Sequence, residues 1–238
     1  MALDFFAQPP QLPHPEIPLS VILIIEEALR TAWEMLRNNP PKGFNLADAH
    51  EDIVTEKFLA IIVNEVLIDK TVQGFSKELF RVSREEKHPN YNRRNPDKMP
   101  DLSIHLLADR PDVYFFAEDR LYIECKPVGA ERTVGKHYCG KGLIRFVEGN
   151  YAWTMSQAMM IGYTQAGYSI IPKLQSALQE RIAMKTIQYP IPCPKSISQA
   201  RSWCEAVHIS CHERSFSYIE TKQPAPPITL RHLWLRRD

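Results

Sequence analysis

The sequence predicts an α/β fold, a mixed β-sheet with helices on both sides, and three observations lead there. Apolar residues recur at helical spacing from Ser20 to Leu36 and from Glu51 to Leu67. Short apolar runs bounded by turn residues, Leu102 to Leu107 and Leu121 to Ile123, read as strands. Beyond Ile187 the chain reads as further short strands. Helices and strands mixed in this way bury their apolar faces as layers around one core.

At 238 residues the chain has room for one large domain with small appendages. Residues 1–19 form a proline-rich arm carrying Pro9, Pro10, Pro13, Pro15 and Pro18. Ser20 is expected to cap a first helix running to about Leu36, which Asn38-Asn39-Pro40-Pro41 stops. Residues 20–45 are thus a helix and linker, and residues 46–238 the main domain with a C-terminal strand extension.

In the second helix Val54, Phe58, Leu59, Ile61, Ile62 and Val66 form one stripe, and Glu51 and Glu65 both fall on it. A carboxylate on a core-facing stripe is costly unless paired, protonated or close to a metal. Helix geometry leaves both residues open, and Glu51 also suits a first helical turn, where the dipole favours acids.

A strand at Leu79 to Val82, a basic loop and the two apolar strands follow. After Lys126 a Gly-rich loop is expected, then a helix from Asn150 to Thr164 containing Trp153, Met159, Met160 and Tyr163. The remaining expectations are a helix from Pro172 to Met184, a strand from Ile187 to Ile191, a short helix from Ser198 to Glu205, and strands Val207 to His212, Phe216 to Ile219 and Ile228 to Leu235.

Chemistry concentrates on the two middle strands. Pro100-Asp101 opens the first, and the second runs into Glu124-Cys125-Lys126. Alternation puts Glu124 and Lys126 on one face, where an Asp at the start of a neighbouring strand can join them. Two carboxylates hold a hard divalent cation, and the ammonium orients an attacking water. Asp112, followed by Val113-Tyr114-Phe115-Phe116, competes with Asp101, but the acidic tip Ala117-Glu118-Asp119-Arg120 ties that stretch to the Glu124 strand as a hairpin.

These residues resemble the PD-(D/E)xK nuclease superfamily, whose motif is spelled by Pro100-Asp101 and Glu124-Cys125-Lys126. The resemblance covers about Glu51 to Tyr163. It implies a restriction-endonuclease-like sheet in residues 46–238 and an Mg²⁺-dependent deoxyribonuclease, with Mn²⁺ able to substitute. It assigns the metal to Asp101, Glu124 and the backbone carbonyl of Cys125, water activation to Lys126, and an additional acid to Glu51 on the preceding helix. Helicase-associated members carry a Gln followed by a Tyr four residues on; Gln157 is followed there by Ile161, which places the chain outside that branch and leaves Gln157 a minor site candidate. Antiviral defence follows by family analogy alone.

A formal net charge of +1 is low for a chain that grips DNA unaided. The basic residues nevertheless flank the motif, with Arg93, Arg94 and Lys98 before Asp101, and Lys136 and Lys141 after Lys126. Phosphate contacts are expected from these five, and a protein partner or homo-oligomer is expected to guide the chain to DNA. A non-catalytic binding or assembly module of the same fold, and an RNA-directed nuclease, are the alternatives. The opening Met1 to Phe6 lacks the pattern of a signal peptide, Val21 to Ile25 is too short to span a bilayer, and five cysteines without paired spacing suit free thiols; the expectation is cytoplasmic. Cys204, His208, Cys211 and His212 have zinc-ligand chemistry, but a strand spreads them over two faces.

Overall fold

The computed structural model describes residues 12–113, 116–165, 168–193 and 203–238. Its centre is an open seven-stranded sheet of order β1-β2-β3-β4-β7-β6-β5. The strands are β1 (Phe80–Arg84), β2 (Leu102–Leu106), β3 (Arg120–Val128), β4 (Gln157–Thr164), β5 (Thr186–Pro192), β6 (His208–His212) and β7 (Ile228–Arg236). The three central strands β3, β4 and β7 run parallel, and the outer pairings are antiparallel. The fold class is α/β.

Helix α1 (Leu19–Asn38) and helix α2 (Glu51–Ile61), which continues as a wider π-helical turn over Ile62–Leu67, cover one face. Trp33 of α1 stacks on Tyr163 of β4 at 5.3 Å, and Thr55 of α2 meets the Tyr163 hydroxyl at 3.0 Å. On the other face lies a π-helix, Val134–Leu143, running into α3 (Ile144–Val147), with α4 (Ile170–Gln179) packed beside it. The main apolar core runs from Ile17 to Leu235 and includes the buried side of α1.

Several expectations give way here. The segment expected to be helical from Asn150 to Thr164 holds β4, with Ala158 to Tyr163 all buried. A central parallel strand is apolar on both faces, so its sequence lacks the alternation that marks a half-exposed strand. The expected Gly-rich loop contains the π-helix, because Gly142 lets it approach the sheet: a Cβ there would lie 2.7 Å from the end of Met160. Phe216 to Ile219 is no strand. Phe216 and Tyr218 instead form a satellite cluster with Trp153 and Ala225. The first helix begins after Pro18, without a side-chain cap from Ser20. Most of the arm and of the expected Ser198–Glu205 helix, and two residues of the Val113–Phe116 stretch, lie outside the described residues.

Candidate active site

The site follows from register. Leu102 pairs with Ile123, which brings Asp101, just before β2, level with Glu124. Alternation along β3 turns Arg120, Tyr122, Glu124 and Lys126 to the face covered by the π-helix. Gly142 makes that cover close: a Cβ added to it would sit 3.2 Å from Lys126 Cγ and 3.5 Å from Glu124 Cγ.

Three oxygens converge on Lys126 Nζ. Glu124 Oε1 lies at 2.5 Å, the Cys125 carbonyl at 2.7 Å and Asp101 Oδ2 at 3.1 Å. Asp101 Oδ2 also accepts from the Cys125 backbone N–H at 2.7 Å, which fixes the loop before β2 against β3. Arg145 of α3 donates to Glu124 Oε1 at 3.0 Å, and the Tyr151 hydroxyl donates to Oε2. Glu124 is fully buried and the Lys126 side chain is 10% exposed, whereas Asp101 keeps 26%, so solvent reaches the cluster from the Asp101 side.

Burial and the neighbouring Asp101 charge push the Glu124 carboxyl up to about 7, against the pull of Lys126 and Arg145. Burial acts to lower the Lys126 ammonium, but Glu124 and Asp101 outweigh it and raise its pKa. Tyr151 is likewise raised well above its usual value by burial and by Glu124, so it remains a donor.

Two carboxylates and a carbonyl are hard oxygen donors of the kind that Mg²⁺ takes, and they already surround one positive charge. The donor set therefore fits a divalent cation, on condition that the ammonium leaves its centre. Among the described residues no group of three or more His, Cys, Asp or Glu side chains is placed to hold a metal. The set here has two such side chains, and its third donor is backbone.

The other sequence candidates are placed as follows. Glu51 is the first residue of α2, which packs against the opposite face, beside Tyr163. Its charge is felt by Arg237. The helix start does reach the Asp101 end of the sheet, since Asp52 lies 4.0 Å from Arg84 and Arg84 pairs with Leu102. No hydrogen bond or ion pair among the described residues links Glu51 to Glu124 or Lys126. Glu65 falls in the π-helical turn after α2. Gln157 accepts from Ile17 N at 2.9 Å, three positions before Met160, the partner of Glu124, so it ties the N-terminal segment to the sheet. Asp112 is an exposed turn residue.

Lys136 and Lys141 are exposed on the π-helix, the element that covers the site. Partial burial, together with Lys141, Arg132 and Lys136, lowers the His137 pKa, as expected in a positive field. Arg93 and Arg94 lie on an exposed loop, with Arg93 in the left-handed region (φ 57°) and 3.4 Å from Glu220. Lys98 bridges through its backbone to His88.

Sequence reasoning did not single out Tyr151 or assign Arg145 to Glu124. Both contacts span more than twenty residues, and no local pattern signals them. The chain gives no match to family models, to curated proteins or to solved structures.

Proposed function

We propose that the chain is a PD-(D/E)xK-type, metal-dependent nuclease acting on DNA, with its mixed sheet a version of the restriction-endonuclease-like fold. The observation carrying this reading is the convergence of Asp101, Glu124 and the Cys125 carbonyl on one cationic point at the start of β2 and in the middle of β3. Asp101, Glu124 and that carbonyl would hold Mg²⁺, or Mn²⁺ in its place. The ion would supply phosphoryl polarisation and an acidified water.

The chain's own residues do the rest. Tyr151 and Arg145 hold the Glu124 carboxylate in one orientation. Without metal, Lys126 is kept protonated by its carboxylate neighbours and is no proton acceptor. It orients the water and stabilises charge growing on the phosphate. The π-helix screens the site from bulk water and presents Lys136 and Lys141 to the nucleic-acid backbone. Glu51 would contribute only through a water or after movement of α2. Product ends of 5′-phosphate and 3′-hydroxyl, and a role in antiviral defence, rest on the family resemblance. With a net charge of +1 the chain is expected to depend on a protein partner or a homo-oligomer for tight DNA binding.

One observation favours a second reading, a non-catalytic nucleic-acid-binding or assembly module. Glu124 is wholly buried and both its oxygens are taken by protein donors. Incubation with single- and double-stranded DNA and RNA in Mg²⁺, Mn²⁺ or EDTA separates the readings. The nuclease reading expects DNA cleavage that EDTA abolishes, and RNA cleavage alone would move the substrate class. No cleavage of any substrate, with binding retained, is the result the second reading expects.

A further inference from the structure

A second polar constellation lies on the same sheet face as Glu124, four residues back along β3 and so about 13 Å away. Register aligns Arg81 of β1, His105 of β2 and Arg120 of β3 in one row, with Ser83 one step along. The carboxylate of Glu86 lies among them. Its Oε2 accepts from His105 Nε2 at 2.8 Å, Arg120 at 2.9 Å and the Ser83 hydroxyl at 3.0 Å. Arg81 misses hydrogen-bonding distance, standing 3.6 Å from Oε1.

Three features distinguish this from an ordinary surface ion pair. The Arg120 and His105 side chains are more than nine-tenths buried, so the donors are built into the sheet and not laid on it. Glu86 comes from the loop after β1, delivered by Glu85 in the left-handed region (φ 49°), a backbone state that a non-glycine residue adopts at some cost. The donors also outnumber what the carboxylate uses: three crowd one oxygen, while Arg81 stands 3.3 Å from the His105 ring nitrogens and 3.6 Å from the other oxygen. A tetrahedral oxyanion offers more oxygens to the same set.

We infer that Arg81, Ser83, His105 and Arg120 form a binding cradle for a phosphate group, which the chain's own Glu86 closes by standing in for the anion. Two guanidinium groups, an imidazole N–H and a hydroxyl are donors that a small oxyanion satisfies together. The phosphate is either a free ion or one belonging to a nucleic-acid backbone. Opening requires only that Glu86, whose side chain is 35% exposed, swing outward. The inference does not depend on hydrolysis at Glu124.

The test is thermal unfolding of the full chain in EDTA, with inorganic phosphate compared against chloride at equal ionic strength to remove general salt effects. Phosphate at ten times its Kd should raise the Tm of Glu86→Ala by about 4 °C, with a smaller rise in the parent chain. Adding Arg81→Met should cancel the gain. If Glu86→Ala does not fold, Glu86→Gln, which keeps an acceptor but loses the charge, takes its place. An oligothymidylate without terminal phosphates, also in EDTA, identifies the source: tighter binding by the Glu86 variant points to a backbone phosphate, and a response to inorganic phosphate alone points to the free ion. Equal phosphate shifts in parent and variant, or none in either, would overturn the inference.

Discussion

Lys126 Nζ lies 2.5 Å from Glu124 Oε1, two residues back on the same strand, and shares its charge with Asp101 Oδ2 and the Cys125 carbonyl. The ammonium thus stands where the oxygen donors would place a divalent ion. On the proposed reading, ammonium and metal compete for those oxygens, and metal loading moves Lys126 toward the water or the phosphate.

Substituting Lys126 should therefore separate binding from chemistry. Lys126→Met is expected to bind Mn²⁺ at least as tightly as the parent chain, because a competing cation is gone, while cleavage falls by about 100-fold or more. Glu124→Gln is expected to lose both. Titration calorimetry with Mn²⁺ and a cleavage assay on the two variants check this, and weakened Mn²⁺ binding by Lys126→Met contradicts it.

Stability should carry opposing pH terms. A buried relay runs from the Tyr138 hydroxyl to His232 Nδ1 at 2.9 Å, from His232 Nε2 to Ser210 at 2.7 Å, from Ser210 to His212 Nε2 at 2.7 Å, and from His212 Nδ1 to the Met184 carbonyl at 2.8 Å. It is satisfied with both imidazoles neutral, and burial pushes His212 down to about 4. The unfolded chain takes up that proton below its ordinary value of 6.5, so the stabilisation is present above 6.5 and lost toward about 4, on the order of 3 kcal/mol in full. Glu124, raised to about 7 from 4.5, acts in reverse: its contribution is present below 4.5 and lost as pH rises through 7. Urea midpoints across pH 4.5 to 8 should show a flatter acid limb for His212→Gln and a higher midpoint above pH 7 for Glu124→Gln.

Gly162 gives a packing test. A Cβ there would lie 2.6 Å from Trp234 Cδ1 and 2.8 Å from Nε1, both on a buried indole with nowhere to move. Gly162→Ala should cost about 1–3 kcal/mol of unfolding free energy. Combining it with Trp234→Phe should recover part of that loss, whereas strictly additive losses would contradict the contact.

What the sequence showed and hid follows from the range of each interaction. That Glu124 and Lys126 share a face comes from the two-residue period of a strand, and that α1 and α2 are helices comes from their one-sided apolar stripes. β4 escaped because both its faces are buried between β3 and β7, leaving an apolar run with no strand period. In β6 alternation was readable, but its direction was not: the His208, Ser210 and His212 side is the buried one, since Ser210 and His212 satisfy each other and His232, and His208 bonds the Ala206 carbonyl. The helical nature of Val134–Leu143 was hidden by its glycines, among them Gly142, whose role in close approach is visible only once Met160 and Lys126 are beside it. Glu51 shows the limit of a helical wheel, which gives a face but not which layer of the sheet that face meets.

The basic residues make separable predictions. Reversing Lys136 and Lys141 to Glu should weaken DNA binding for every sequence alike and lower the slope of log affinity against log salt by roughly 1.5 on single strands. Reversing Arg93 and Arg94 should have a smaller effect, because Arg93 already has Glu220 beside it. Sequence-dependent losses, or an unchanged salt slope, would contradict the assignment of these residues to the backbone.

The most direct measurement is the location of Mn²⁺ by anomalous scattering in crystals of the full chain. A peak coordinated by the carboxylates of Asp101 and Glu124 and the carbonyl of Cys125, with the Lys126 ammonium displaced from its 2.5 Å contact with Glu124, is the expected result. Saturating Mn²⁺ that leaves no peak there, with Lys126 still held by all three oxygens, would contradict it.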